Sequence, residues 1–111
     1  MEAVAEHVVV LITTGTLKDR RKTAQVLVAD HLAACVNIIS PIESVFRWQG
    51  QIQQERESLL VVKTIRERVA PLTQRVRELH SYQVPEVIAL PISAGSSDYL
   101  RWISEQTIAD G

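Results

Sequence analysis

Disulfides, phosphate-binding loops and membrane spans are all missing from this sequence. Cys35 is the only cysteine, so no intrachain disulfide is possible. Four glycines in 111 residues supply no glycine-rich phosphate loop. The longest continuous apolar run, Val8 to Ile12, is far too short to cross a bilayer. Two glutamates and no basic region precede that run, which argues against a signal peptide. Together with the single thiol this makes the cytoplasm the expected compartment. Twelve basic residues stand against thirteen acidic ones, a formal net charge of -1. Without a basic excess neither nucleic acid nor an anionic membrane surface is an expected partner. No Cys-x-x-Cys, His-x-x-x-His or carboxylate loop is present, and His7 and His31 have no partner at metal-ligand spacing. No Ser/His/Asp, Cys/His or paired-carboxylate set stands out either, so no catalytic residue is assigned and an enzyme is not expected.

What is present suits one globular domain over residues 1–111, with 46% hydrophobic and 23% charged residues. His7 to Thr13 is β-branched and continuous, the pattern of a strand covered on both faces. Thr16 with Asp19 resembles a helix N-cap, and the helix is expected to run to about Leu32 on an inner stripe of Ala24, Leu27, Val28 and His31 or Leu32. Ala34 to Ile39 begins a second strand, which Ser40-Pro41 interrupts. Proline cannot donate to a ladder, so a bulge or bend is expected there, with the strand resuming from Ile42 to Trp48. Gln49-Gly50 makes a tight turn, and the return strand extends from Gln51 to Ile65. A second helix is expected from about Arg68 to His80 on a stripe of Val69, Leu72, Val76 and Leu79. Glu86 to Ile92 reads as a fourth strand, and Tyr99, Trp102 and Ile103 as one side of a short C-terminal helix. The order β-α-β-β-α-β with a final helix gives the fold class: α+β, a ferredoxin-like split βαβ with two helices over one face of an antiparallel sheet.

The segment SVFRWQGQIQQERESLLVVK, Ser44 to Lys63, raises a packing problem. Each arm of its hairpin has roughly 15 residues and would span roughly 50 Å. A domain of this length has a diameter near ~35 Å, so the outer ribbon overhangs. A lone two-stranded ribbon is marginal in water, and its edges expose unpaired backbone groups. With Gln49-Gly50 as the turn, Trp48 faces Gln51, Phe46 faces Gln53, Arg47 faces Ile52 and Glu43 faces Arg56. One face then carries Ser44, Phe46 and Trp48 beside Gln51, Gln53, Glu55 and Glu57, and the other carries Val45, Arg47 and Ile52. Such mixed faces suit a wet interface better than a core, and Phe46, Trp48 and Ile52 are the expected contacts with another copy of the chain. A sheet-extending contact is heterologous, so a closed ring is the safe assembly.

The blocks ACVNIISPIESVFRWQGQIQQERESLLVVKT, YQVPEVIALPI and DYLRWI resemble the CutA family of divalent-cation tolerance proteins, over nearly the whole chain from Val8 to Ile103. The resemblance implies a ferredoxin-like subunit, a tight homotrimer whose neighbouring strands join, and a structural likeness to PII-type signalling trimers. It implies a role in the response to divalent metal ions with modest copper(II) binding. Some members carry a cysteine late in the first strand and a His-His pair before the Tyr-Gln-x-Pro-Glu block, considered copper ligands. The corresponding positions here are Ile12 and Leu79-His80, so only His80 retains its ligand.

The residues to follow are therefore few. Cys35, at the start of a buried strand, reads either as a small apolar filler or as a soft copper ligand or reactive thiol in a cleft between subunits. His80 reads as a copper ligand or as a surface cation at its helix C-terminus. Glu57, Lys63, Tyr82 and Glu86 complete the set of candidates for an intersubunit cleft. Glu57 and Lys63 share a strand face, and Lys63 is expected to have an acidic or anionic partner because a buried unpaired ammonium is costly. Two functions stay open: metal response, with no obligatory cofactor and Cu²⁺ or another divalent cation as ligand, or a PII-like trimer binding a small anionic effector.

Overall fold

A computed structural model describes residues 6–15, 17–80 and 84–108. Among them the order is β1 (His7–Thr14), α1 (Leu17–Ala29), β2 (Cys35–Trp48), β3 (Gln51–Ile65), a 3-10 turn (Arg66–Arg68), α2 (Val69–Leu79), β4 (Val87–Pro91) and α3 (Ser97–Gln106). Thr16 and Tyr82 lie outside the described residues. The four strands form one antiparallel sheet in the order β2-β3-β1-β4. β1 and β3 occupy its centre, which is why their apolar runs are the most continuous in the chain.

Alternation along the central strands assigns two faces. Val8, Val10 and Ile12 of β1 pair with Thr64, Val62 and Leu60 of β3 and are buried with Leu27 of α1 and Leu72 and Val76 of α2. These residues form the core beneath the two helices. The other face carries Val9, Leu11 and Thr13 beside Lys63, Val61 and Leu59. α3 covers one end of it, where Ile103 packs with Ala34 and Ile65. Two basic side chains cap the C-terminal carbonyls of α3: His31 Nδ1 donates to Gln106 at 3.0 Å and Arg68 Nε to Thr107 at 2.7 Å. The rest of that face stays half-exposed, and Ile39, Ile88 and Leu90 stand on it in solvent.

The hairpin has the expected register, with Trp48 opposite Gln51, Phe46 opposite Gln53 and Glu43 opposite Arg56. Its turn places Gln49 at φ 50° and Gly50 at φ 79°. Positive φ at both central residues is the geometry that matches the twist of the flanking strands, and glycine adopts it without a Cβ penalty. The interruption at Ser40-Pro41 is a bulge: between the pairs Ile39–Leu59 and Ile42–Glu57, β2 carries one residue more than β3. The extra residue reverses the parity of β2. Cys35, Asn37 and Ile39 before it, and Ile42, Ser44, Phe46 and Trp48 after it, therefore lie on the face away from α1 and α2. The ribbon projects, giving extents of 51 × 27 × 22 Å and a radius of gyration of 14.8 Å, against about 13 Å for a rounded domain of this length.

Three expectations about helices need correction. α1 ends at Ala29 rather than near Leu32, and His31 takes the left-handed conformation at φ 59°. Leu32 is buried, but from the loop, and Val28 is 42% exposed. In α3 the buried side is Ile103 with half-buried Leu100, while Tyr99 and Trp102 stack on each other at 5.5 Å on the exposed side. α2 buries Leu72 and Val76 fully, as the stripe requires, and starts at Val69 after the 3-10 turn.

Candidate functional site

Beyond the bulge, the uncovered face of the ribbon and the end of the sheet enclose a cleft of about 800 Å³. Phe46 and Trp48 of β2 supply its apolar wall, and Thr13 closes the end of β1. Glu55 and Glu57 of β3 enter from one side and Glu86, just before β4, from another. The strand dictates this arrangement: Glu55 and Glu57 are two positions apart, so alternation puts both carboxylates on the face that carries Phe46 and Trp48. Glu57 is only 8% exposed. No lysine, arginine or histidine is among the residues described as lining the cleft. A concave, partly apolar site with carboxylates alone suits a cation.

His80 is the residue that ends α2, within reach of the Thr13 backbone and the charge of Glu57. Both of its ring nitrogens are buried. Burial pushes the imidazole below its ordinary value of 6.5, against the opposing pull of Asp19, a hydrogen bond to the Thr13 backbone and Glu57. The expected surface cation at a helix C-terminus is thus corrected to a half-buried imidazole whose neutral form burial favours. The consequence for stability has a definite sign. A depressed folded-state pKa means that the unfolded chain takes up the proton first as pH falls. Stability is expected to be full above 6.5 and to decline below it toward the lower folded-state value. Chemical unfolding in the presence of a chelator, from pH 7.5 down to pH 5.5, should show the decline, and His80→Gln should flatten it.

The proposed cleft residues separate into two groups. Glu57 and Glu86 line the cleft. Cys35 and Lys63 sit opposite one another at the other end of the sheet, under α3. Lys63 lies six positions beyond Glu57 on β3, roughly 20 Å of extended chain. Among the described residues no carboxylate pairs with Lys63; its Nζ donates to Oδ1 of Asn37, which also lies 3.8 Å from the Cys35 thiol. The expected acidic partner is replaced by an amide because Lys63 is half-exposed and keeps its hydration. Burial, reinforced by the adjacent Cys35, holds the Tyr99 phenol above its ordinary value of 10.0. Neither metal candidate, His80 or Cys35, is among the described lining residues; the charge of Glu57 reaches His80. Among the described residues no three His, Cys, Asp or Glu side chains meet as a metal-ligating cluster. Glu55 is the cleft residue that the sequence reading put on the correct face without assigning it to a site. Of the expected interface residues, Phe46 and Trp48 line the cleft, while Ile52 is 70% exposed on the opposite side of the ribbon.

Comparison with known proteins gives a consistent set of relatives. A family model described as CutA1 divalent ion tolerance protein matches residues 8–106. The divalent-cation tolerance protein CutA of Thermus thermophilus is 46% identical over 99 residues, covering 89% of this chain and 96% of that protein. The chloroplastic protein CutA of Arabidopsis thaliana is 46% identical over 100 residues, covering 90% of this chain and 55% of that protein. The chain thus spans about half the length of the plant and mammalian relatives it matches and nearly all of the Thermus one. Among solved structures, a divalent cation tolerance protein (Cut A1) from Thermus thermophilus superposes with a TM-score of 0.90 at 46% identity, covering 91% of this chain and 98% of that one. A protein described as the periplasmic divalent cation tolerance protein CutA of Archaeoglobus fulgidus superposes with a TM-score of 0.89 at 38% identity, covering 92% and 99%.

Proposed function

Because this chain belongs to the CutA1 divalent ion tolerance family, we propose that it is a non-enzymatic cytoplasmic homotrimer that responds to divalent metal ions by binding them weakly in the carboxylate cleft. The ribbon supports assembly. Its 14- and 15-residue strands project beyond the helices, and β2 and β4 are both sheet edges open to another chain. Heterologous pairing of such edges closes as a ring, and the number three comes from the family resemblance. No helix among the described residues is long and apolar enough to cross a membrane.

The observation that carries the metal reading is the cleft itself: Glu55, Glu57 and Glu86 line about 800 Å³, and no lysine, arginine or histidine is among the described lining residues. That lining disfavours the alternative of a small anionic effector in the same place. Carboxylates with a nearby imidazole are ligands that Cu²⁺ and other divalent cations accept. One chain brings too few of them together for a closed shell, so water or a second copy completes the coordination and affinity stays modest. Calorimetric titration of the assembled protein with Cu²⁺ tests this. Glu57→Gln and Glu86→Gln are each expected to weaken binding about tenfold, about 1.4 kcal/mol, with a smaller loss in His80→Ala and none in Cys35→Ser. Affinity that survives both glutamate substitutions and falls with Cys35→Ser would move the metal to the other end of the sheet.

A further inference from the structure

The bulge has a second side, facing α1, and there the hydrogen-bond inventory does not balance. Arg20, in the first turn of α1, donates from Nη1 to the hydroxyl oxygens of Ser40 and Ser58, the latter at 3.0 Å. Ser58 donates its own proton to Ser40 Oγ at 3.0 Å. Across the ladder from Ser58 stands Thr14, on the same face of the sheet. Thr14 is 0% exposed, and its Oγ1 has no hydrogen-bond partner among the described residues. A buried orphan hydroxyl is costly, so its retention calls for a reason.

Counting what is left over identifies the chemistry. Ser40 Oγ accepts from both Arg20 and Ser58, which leaves its own proton without an acceptor. The Thr14 hydroxyl proton is likewise uncommitted. Arg20 uses one nitrogen of a guanidinium that carries five N–H donors, and it has no carboxylate partner in the ion pairs of the described residues. Each of these groups can donate, although the Thr14 hydroxyl can also accept, and one of them is charged. α1 begins at Leu17, three residues after Thr14, and adds the partial positive charge of a helix start to the same end of the sheet. Asp19 in that turn and Glu57 on β3 oppose it, and both charges bear on His80. Ser40 is exposed in the single chain.

We propose that the cluster of Arg20, Thr14 and Ser40 is a binding site for a tetrahedral oxyanion, phosphate or a phosphomonoester group. The ligand's oxygens accept the three sets of uncommitted protons, and its charge answers the guanidinium. This site lies on the helix side of the sheet, away from the carboxylate cleft, and does not depend on the metal reading.

The test is titration of the assembled protein with inorganic phosphate and, separately, with methyl phosphate at constant ionic strength, read by calorimetry and by the unfolding midpoint. Saturable binding is expected for the unaltered chain, weakened at least tenfold in Arg20→Gln. Equal affinity for the two probes would identify the free anion as sufficient; tighter binding of methyl phosphate would show that the ester group is also contacted. Thr14→Val gives an independent readout. Without phosphate the near-isosteric swap removes an orphan hydroxyl and is expected to raise the midpoint; with saturating phosphate that advantage is expected to disappear. Failure of both probes to bind overturns the proposal. So does a Thr14→Val gain that is equal with and without phosphate, which would assign the hydroxyl to a buried water only.

Discussion

Each tenfold dilution of the protein is expected to remove about 2.8 kcal/mol per mole of trimer from its unfolding free energy, or about 8 kcal/mol over a thousandfold. The figure follows from mass action. Unfolding one trimer releases three chains, so at a fixed fraction unfolded the equilibrium constant scales with the square of the concentration. A dimer would show half that slope and an independently stable monomer none. Reversible denaturant unfolding across a thousandfold concentration range measures the slope, and sedimentation at each end checks the species. The large expected effect rests on how much one chain leaves uncovered: half of a sheet face, two edges and a ribbon in a molecule 51 Å long but 27 Å wide. A midpoint that stays fixed on dilution would mean that the ribbon survives in water alone.

The projecting ribbon was legible in the sequence because it depends on strand length and turn position. Gln49-Gly50 sets the hairpin register, and Pro41 announces the bulge that brings Phe46 and Trp48 to the uncovered face. The helix stripe Leu72 and Val76 was legible for the same reason, a period that only one packing satisfies. The errors lie where neighbours outweigh periodicity. His31 leaves the helical pattern because the chain turns there through a left-handed residue, with its ring committed to the end of α3. Tyr99 and Trp102 satisfy each other on the surface, so the core takes Ile103 instead. His80 looks like a helix-terminal cation until the third dimension buries it near Asp19 and Glu57. Glu57 and Lys63 share a face of β3 as alternation requires, with Leu59 and Val61 between them, so within one chain they stand at different ends of the sheet. The Arg20, Ser40, Ser58 and Thr14 cluster draws on three elements, and no linear spacing signals it.

Leu60→Ala and Leu59→Ala are expected to fail in different ways, although the two residues are adjacent. Leu60 is 0% exposed, paired with Ile12 and packed in the core beneath α1 and α2. Its truncation deletes buried methyl groups and leaves a cavity, a loss of about 2–5 kcal/mol per chain. That loss belongs to the subunit, so Leu60→Ala is expected to lower the midpoint at every concentration and leave the dilution slope unchanged. Leu59 points to the other face, paired with Thr13 and Ile39, where one chain leaves it half-buried. If neighbouring chains cover that face, its truncation weakens the contact between chains first. Leu59→Ala is then expected to cost less than Leu60→Ala at high concentration and to populate free subunits on dilution, visible in sedimentation before any loss of secondary structure. The comparison separates the two layers that alternation defines, a core closed within each chain and a face closed only between chains. Equal behaviour of the two variants on dilution would mean that the second face remains in solvent.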